Sequence, residues 1–391
     1  MDSSSSHILI ITSWYPTPEN PLYGSFVEEQ ANLLARNHHK VTVVHIFLKG
    51  RFMQTLMSRS TDVTTTQSDL LTVHTIGVAP VFPRARSANY RKAAKFLMGF
   101  LESKKLITPE TIIHSHSAFI GGVVASKVAK QFKCDFFHTE HSSGIILNPE
   151  EYTTEDRKAL KELLSTASTS IFVSRFARDK VNKEYGLTTK KQKVIPNLVD
   201  NHFFERPLES SHQNGFTILS IGALSDLKNQ ELLLKTVHLL KNQINGLKVI
   251  IAGEGPKKEE LISLCNSLDI DEQVSFIGRL DRKEVAEQLS RADLHVSTSK
   301  IETFGLTIAE SIALGTPVLA CDSGGVNDII TNECGMICEY STESLAQGIL
   351  HFLDNRDKYP AQKLREYAQI NFGEKAILNS LLDAYNKSSL S

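Results

Sequence analysis

The sequence predicts an α/β protein made of two doubly wound parallel-sheet domains facing a central cleft. Three observations carry that expectation. Short β-branched runs alternate with longer segments of helical period, the alternation restarts after a turn-rich stretch near the middle, and 391 residues suffice for two ordinary cores.

In the first half, Ile8–Thr12, Val41–Phe47, Thr111–His114 and Ser170–Val173 read as strands, and Phe26–Asn37 and Gly121–Phe132 as helices. Helical crossovers between strands require parallel pairing. Glu205–Gly215 has turn formers, one proline and no aliphatic cluster, which places a boundary there and predicts domains 1–205 and 206–391. The second half then gives strands Phe216–Gly222, Leu247–Ala252, Val274–Gly278, Leu294–Ser297 and Pro317–Cys321. Between them lie helical segments Glu231–Asn242, Lys257–Leu268, Lys283–Arg291 and Thr307–Leu314. Ala376–Tyr385 reads as an amphipathic helix that must pack on one domain, the first being a candidate. Ligand sites are expected beyond the carboxyl ends of the strands.

An apolar content of 41% and a charged content of 22% exclude disorder, and a net charge of -1 excludes a dedicated nucleic-acid binder. No apolar run reaches the roughly 18 residues of a membrane span, so a soluble cytoplasmic protein is expected. The five cysteines form no paired CxxC pattern, which argues against structural zinc and a disulfide framework. The balanced total conceals +6 in residues 1–205 and -7 in residues 206–391. Residues 45–105 alone carry ten cations against three acids, interleaved with Phe52, Met53, Phe82, Phe96 and Phe100. That pattern predicts peripheral docking on the anionic inner face of the cell membrane.

The most informative stretch runs from Ser299 to Glu310 (SKIETFGLTIAE) and continues into Ala313-Leu314-Gly315-Thr316-Pro317-Val318. With a helix starting near Thr307, Glu302 lies in the preceding loop and Glu310 in the first turn, while Gly305 permits close backbone approach. The helix N–H groups and dipole would meet an anion such as a diphosphate.

The two glutamates with Phe304-Gly305-Leu306 between them resemble the E-x7-E signature of retaining glycosyltransferases of family 4, which have the GT-B fold of two Rossmann-like domains. The resemblance covers nearly the whole chain. It implies that Glu310 binds the donor ribose, that Glu302 contacts the donor sugar, and that the backbone at Phe304, Gly305 and Leu306 holds sugar and phosphates. Lys228, after Ile221-Gly222-Ala223-Leu224, matches a diphosphate-gripping lysine; Ala223 stands where relatives carry an arginine. Gly253-Glu254-Gly255-Pro256 is similar to the family's G-x-G-P loop, and Arg279 is implied as a neighbour of the base.

In the first half, Gly24 resembles the glycine that approaches the donor phosphates, with Ser25 as a candidate helix cap. Strand alternation puts His114 and His116 on one face, with His116 exposed at the strand end. The resemblance gives His116 a donor-sugar contact, and His141 is placed on the acceptor side. Leu198 occupies a position that is glycine in relatives. The implied catalytic residues are therefore His116, Lys228 and Glu302.

No Asp-x-Asp motif is present, so no metal is expected, and no cofactor either, because the nucleotide sugar is a substrate. The resemblance implies a UDP-sugar as the first donor and GDP-mannose as the second, with a glycan or lipid-linked molecule as the acceptor. No carboxylate nucleophile is evident, and the resemblance implies that the leaving phosphate oxygen takes the acceptor proton. The same architecture serves UDP-GlcNAc 2-epimerases, and a non-catalytic nucleotide-sugar-binding protein is the other alternative.

Overall fold

A computed structural model describes residues 7–49, 61–68, 70–82, 85–187, 191–208 and 215–386. The chain forms two compact units, Met1–Leu198 with Leu378–Ser391, and Val199–Ile377.

The first unit is built on β1 (Ile8–Thr12), β2 (Val41–Leu48), β3 (Asp62–Gln67), β4 (Leu71–Val78), β5 (Ile112–His116), β6 (Phe136–Glu140), β7 (Thr169–Phe172) and β8 (Gln192–Val194). Their order is β3-β4-β2-β1-β5-β6-β7-β8. Only the β3–β4 pair is antiparallel. Both faces of the centre are covered, so β1 is buried at all five positions and reads as a continuous aliphatic run. Its neighbours β2 and β5 lie on opposite sides, so the strand order reverses at β1, with Thr12 in register with His116.

The second unit contains β9 (Phe216–Ile221), β10 (Leu247–Ala252), β11 (Val274–Gly278), β12 (Leu294–Ser297), β13 (Val318–Cys321) and β14 (Gly335–Cys338). The order is β11-β10-β9-β12-β13-β14, all parallel, with the reversal between β9 and β12. The loops beyond β9, β10 and β11 are pinned together by their backbones. Gly253 N–H donates to Gly278 O at 2.7 Å, and Leu224 N–H to Glu254 O at 3.0 Å. The G-x-G-P loop therefore holds neighbouring strand ends in place.

The units divide between Leu198 and Val199, upstream of the expected 205/206. The physical reason lies in the segment that follows. Val199 N–H donates to Phe372 O at 2.9 Å, and the helix Asn201–Glu205 buries Phe203, which ties these residues to the second unit. The last helix, Glu374–Asn386, joins the first unit from Leu378 onward, burying Leu381, Ala384 and Tyr385. The strands β3, β4, β8 and β14 had no counterpart in the sequence reading. Among the described residues, no helix is long and apolar enough to cross a membrane.

Candidate active site

In the second unit the site is assembled by the reversal of strand order. Lys228 lies in the loop after β9 and Glu302 in the loop after β12, and the two side chains form an ion pair across the gap between these strands. Each loop is fixed from behind. Lys300 N–H donates to Leu227 O at 2.8 Å, Thr298 Oγ1 to Lys228 O at 3.0 Å, and Tyr340 Oη to Ser299 O at 2.6 Å. Glu302 is bracketed by backbone bonds to the loop after β13, its N–H reaching Ser323 O and its carbonyl accepting from Gly325 N–H, both at 2.9 Å. A lysine and a glutamate in open water gain little from pairing. Here both are partly covered and held by rigid loops, so the ammonium is presented in one place.

Ala223 is exposed, and its carbonyl accepts from Gln230 Nε2 at 3.1 Å. Lys257 reaches the same loop through Asp226, at 3.1 Å. A second ammonium thus lies along the loop that lacks the arginine.

The helix beyond Glu302 begins at Leu306, with Gly305 as its cap at φ 102°. A side chain there would be strained, and glycine leaves the first-turn N–H groups uncovered by any cap side chain. Phe304 is buried against Phe372, ring centroids 5.8 Å apart, so only its backbone is available to a ligand.

Glu310 departs from the expectation of an acid in the helix's first turn. It stands a full turn inside the helix, is 2% exposed, and accepts from Arg282 Nη1 at 2.8 Å. Burial pushes its carboxyl up to about 7, overcoming the opposing pull of Arg282. Arg282 was not singled out in the sequence, although it follows Asp281, the cap of the helix Arg282–Arg291, whose capping box with Glu284 fixes where that helix starts. Arg279 is exposed beyond β11.

In the first unit, Gly24 rather than Ser25 caps the helix Ser25–Arg36. Its φ is 73°, and a Cβ would stand 2.4 Å from the Trp14 carbonyl carbon, so no other residue fits. His114 and His116 share a face as alternation requires, ring centroids 4.4 Å apart. His116, expected at an exposed strand end, is 0% exposed, because His141 stacks on it and Gln30 covers it. His116 Nδ1 lies 2.9 Å from His141 Nε2, so the sugar-contact and acceptor-side candidates are directly bonded. Among the described residues, no group of three or more His, Cys, Asp or Glu side chains is placed to hold a metal ion.

The geometry meets its relatives at this point. The glycosyl transferases group 1 family matches residues 203–370, and glycosyltransferase family 4 matches residues 24–203. The alpha-monoglucosyldiacylglycerol synthase of Streptococcus pneumoniae is 29% identical over 292 residues, 68% of this chain and 64% of that protein. A human phosphatidylinositol N-acetylglucosaminyltransferase subunit is 28% identical over 240 residues, 61% of this chain and 49% of that protein. The matches thus span about half to two thirds of these curated relatives. The solved Anabaena HepE in complex with UDP shares the fold with a TM-score of 0.72 at 18% identity, over 98% of this chain and 100% of that one. Two family matches that together run from residue 24 to residue 370, on two parallel-sheet α/β units, show that the chain belongs to the family 4 glycosyltransferases of the GT-B fold.

Proposed function

We propose that the chain transfers a sugar, with retention at the anomeric carbon and without a divalent ion, from a nucleotide donor to a lipid-linked or glycan acceptor. The observation that carries this reading is the Lys228–Glu302 pair at the reversal between β9 and β12, in the same loop that leads to the helix start at Leu306. A departing diphosphate needs preorganised positive charge. Lys228 supplies a full charge held by Glu302, and the N–H groups at Leu306 and beyond supply a partial one. Glu310, buried beside Arg282, accepts from the ribose hydroxyls. The leaving phosphate oxygen takes the proton of the attacking hydroxyl.

A UDP-sugar is the first donor, supported by the solved relative that holds UDP, and GDP-mannose the second. A lipid acceptor is favoured because both curated relatives named above are glycolipid-forming by name. The test is a donor panel of UDP-glucose, UDP-GlcNAc and GDP-mannose, offered with vesicles containing diacylglycerol or phosphatidylinositol and followed by UDP or GDP release. Acceptor-dependent release with labelled lipid is the expected result. UDP with an altered free sugar and no acceptor requirement would identify an epimerase instead, and no release from any donor would leave only nucleotide binding.

A further inference from the structure

The most elaborate polar cluster in the first unit is a chain of buried histidines at the carboxyl ends of β5 and β6. The helix Ser25–Arg36 lies over it, with Phe26 against His141, ring centroids 4.3 Å apart, and Gln30 one turn on. Gln30 Nε2 stands 3.3 Å from His114 Nδ1 and 3.4 Å from His116 Nε2. His114 Nδ1 also meets Tyr385 Oη at 2.8 Å, and its Nε2 meets Thr139 Oγ1 at 2.7 Å. His116 Nδ1 continues to His141 Nε2 at 2.9 Å. The Asn197 side chain lies near His141 and favours a proton on its ring.

A neutral imidazole has one N–H and one bare nitrogen, so each partner's choice fixes the next. We propose that Gln30 is a positioning residue that sets the proton polarity of this chain. Its carboxamide N–H groups donate to His114 Nδ1 and to His116 Nε2, so His116 keeps its proton on Nδ1 and donates it to His141 Nε2. His141 then carries its own proton on Nδ1, toward Asn197. His114 carries its proton on Nε2 and donates to Thr139 Oγ1, while the single lone pair of Nδ1 is shared between the Tyr385 hydroxyl at 2.8 Å and the Gln30 N–H at 3.3 Å.

The charge state agrees with that assignment. Burial, reinforced by the neighbouring histidines, drives His114 and His141 down to about 3 and His116 well below its ordinary value, so all three are neutral near pH 7. Burial also raises the Tyr385 phenol, which keeps its proton to donate. The nearby carboxylate is committed elsewhere. Glu140 Oε1 accepts from His141 N–H at 3.0 Å and Ser142 N–H at 2.8 Å, and Oε2 accepts from Ala118 N–H at 3.0 Å and faces His138 Nε2 at 3.3 Å. His138 Nδ1 pairs with Ser115 Oγ at 2.9 Å. Gln30 is thus the group that faces both His114 and His116.

The consequence rests on the proposed function together with the donor-sugar contact and acceptor-side place that the family resemblance implies for His116 and His141. Both ring nitrogens of His116 are committed in this scheme, Nδ1 as donor to His141 and Nε2 as acceptor from Gln30, so His116 is not set up for proton abstraction and any contact it makes with a sugar is by packing of the ring. The test is a long-range ¹H–¹⁵N correlation spectrum of the ¹⁵N-histidine-labelled full chain at pH 7, assigned by single His→Asn variants. It should show the Nδ1–H form for His116 and His141 and the Nε2–H form for His114. In Gln30→Leu, His116 should lose its single-form signature; in Tyr385→Phe it should keep it. An Nε2–H form of His116 in the wild-type chain would overturn the proposal even if Gln30→Leu does not fold, as would a Gln30→Leu spectrum with His116 unchanged. The spectrum is taken without substrate, so a missing transferase activity would bear on the proposed function alone.

Discussion

Arg282 Nη1 donates to Glu310 Oε1 at 2.8 Å, joining the helix Arg282–Arg291 to the helix Leu306–Ala313 beneath the proposed nucleotide site. The pair gives Glu310 a structural role beside its proposed ligand-directed one. Glu310→Ala strips a partly buried guanidinium of its carboxylate, and we expect a loss of about 1 to 3 kcal/mol by urea denaturation. Glu310→Gln keeps an acceptor and should lose less. An unchanged urea midpoint for Glu310→Ala would show that the pair contributes nothing.

The same carboxyl makes donor binding pH-dependent. With burial raising Glu310 to about 7, the ionised form that is proposed to accept from the ribose hydroxyls becomes populated only near neutrality. UDP-glucose is the suitable probe because its diphosphate does not titrate in this range. Its affinity should rise as pH increases from 6 to 8 in the wild type and stay flat in Glu310→Gln. Parallel profiles would remove Glu310 as the titrating group.

Stability carries two opposing responses to acid, one from Glu310 and one from the buried histidines. The folded pKa of Glu310 lies above its unfolded value, so its contribution is greatest below about 4.5 and falls as pH rises toward 7. His114, His116 and His141 have depressed folded values, so their contribution is present above 6.5 and lost as pH falls toward about 3. Three fully buried histidines outweigh one glutamate. The urea midpoint should therefore fall between pH 7 and pH 5, and a flat or rising midpoint over that interval would contradict the buried neutral chain.

Lys228→Ala should lower kcat by roughly 10²-fold or more, the scale of losing one preorganised electrostatic group. It also leaves the Glu302 carboxylate facing the diphosphate unneutralised. The double variant Lys228→Ala/Glu302→Gln should then recover part of the loss, a coupling expected of groups in direct contact. Strictly additive effects would show that the ion pair plays no part in turnover.

The basic face of the first unit should bind anionic vesicles reversibly. Arg51, Arg59, Arg84, Phe52 and Met53 lie outside the described residues. Within them, the helix Arg86–Ser103 exposes Arg91, Lys92 and Lys95, but Phe96, Met98 and Phe100 pack partly against the core. Phe82, 66% exposed, remains as an apolar anchor. Attachment should rest mainly on charge, at about 1 kcal/mol per cation, and be abolished by high salt. Sedimentation showing equal binding to neutral and anionic vesicles would refute it.

The fold was legible wherever one signal dominated. Ile8–Thr12 is buried on both faces and therefore reads as an unbroken aliphatic run, and the stretch from Ser299 to Glu310 combined a glycine cap with helical period. Asp62–Gln67 was invisible because all six residues are exposed and carry no apolar alternation. In the site, Lys228 and Glu302 were found separately, yet nothing in their spacing tells that strand order reverses between β9 and β12 and brings them into contact. The burial of Glu310 and His116 was missed for a related reason. Each is covered by a partner distant in sequence, Arg282 and His141, and a local pattern does not reveal coverage of that kind. Gln30 left a faint trace as a polar residue among Val27, Ala31 and Leu34 on the buried face of its helix.

Calorimetric titration with UDP and GDP tests most directly whether the second unit holds a nucleotide at the reversal between β9 and β12. The wild-type chain should bind UDP at one site, more tightly than GDP, and Lys228→Ala should weaken that binding at least about tenfold, on the scale of a charge-assisted phosphate contact. Heat-silent titrations with both nucleotides, or an affinity for UDP that survives both Lys228→Ala and Glu310→Gln, would contradict it.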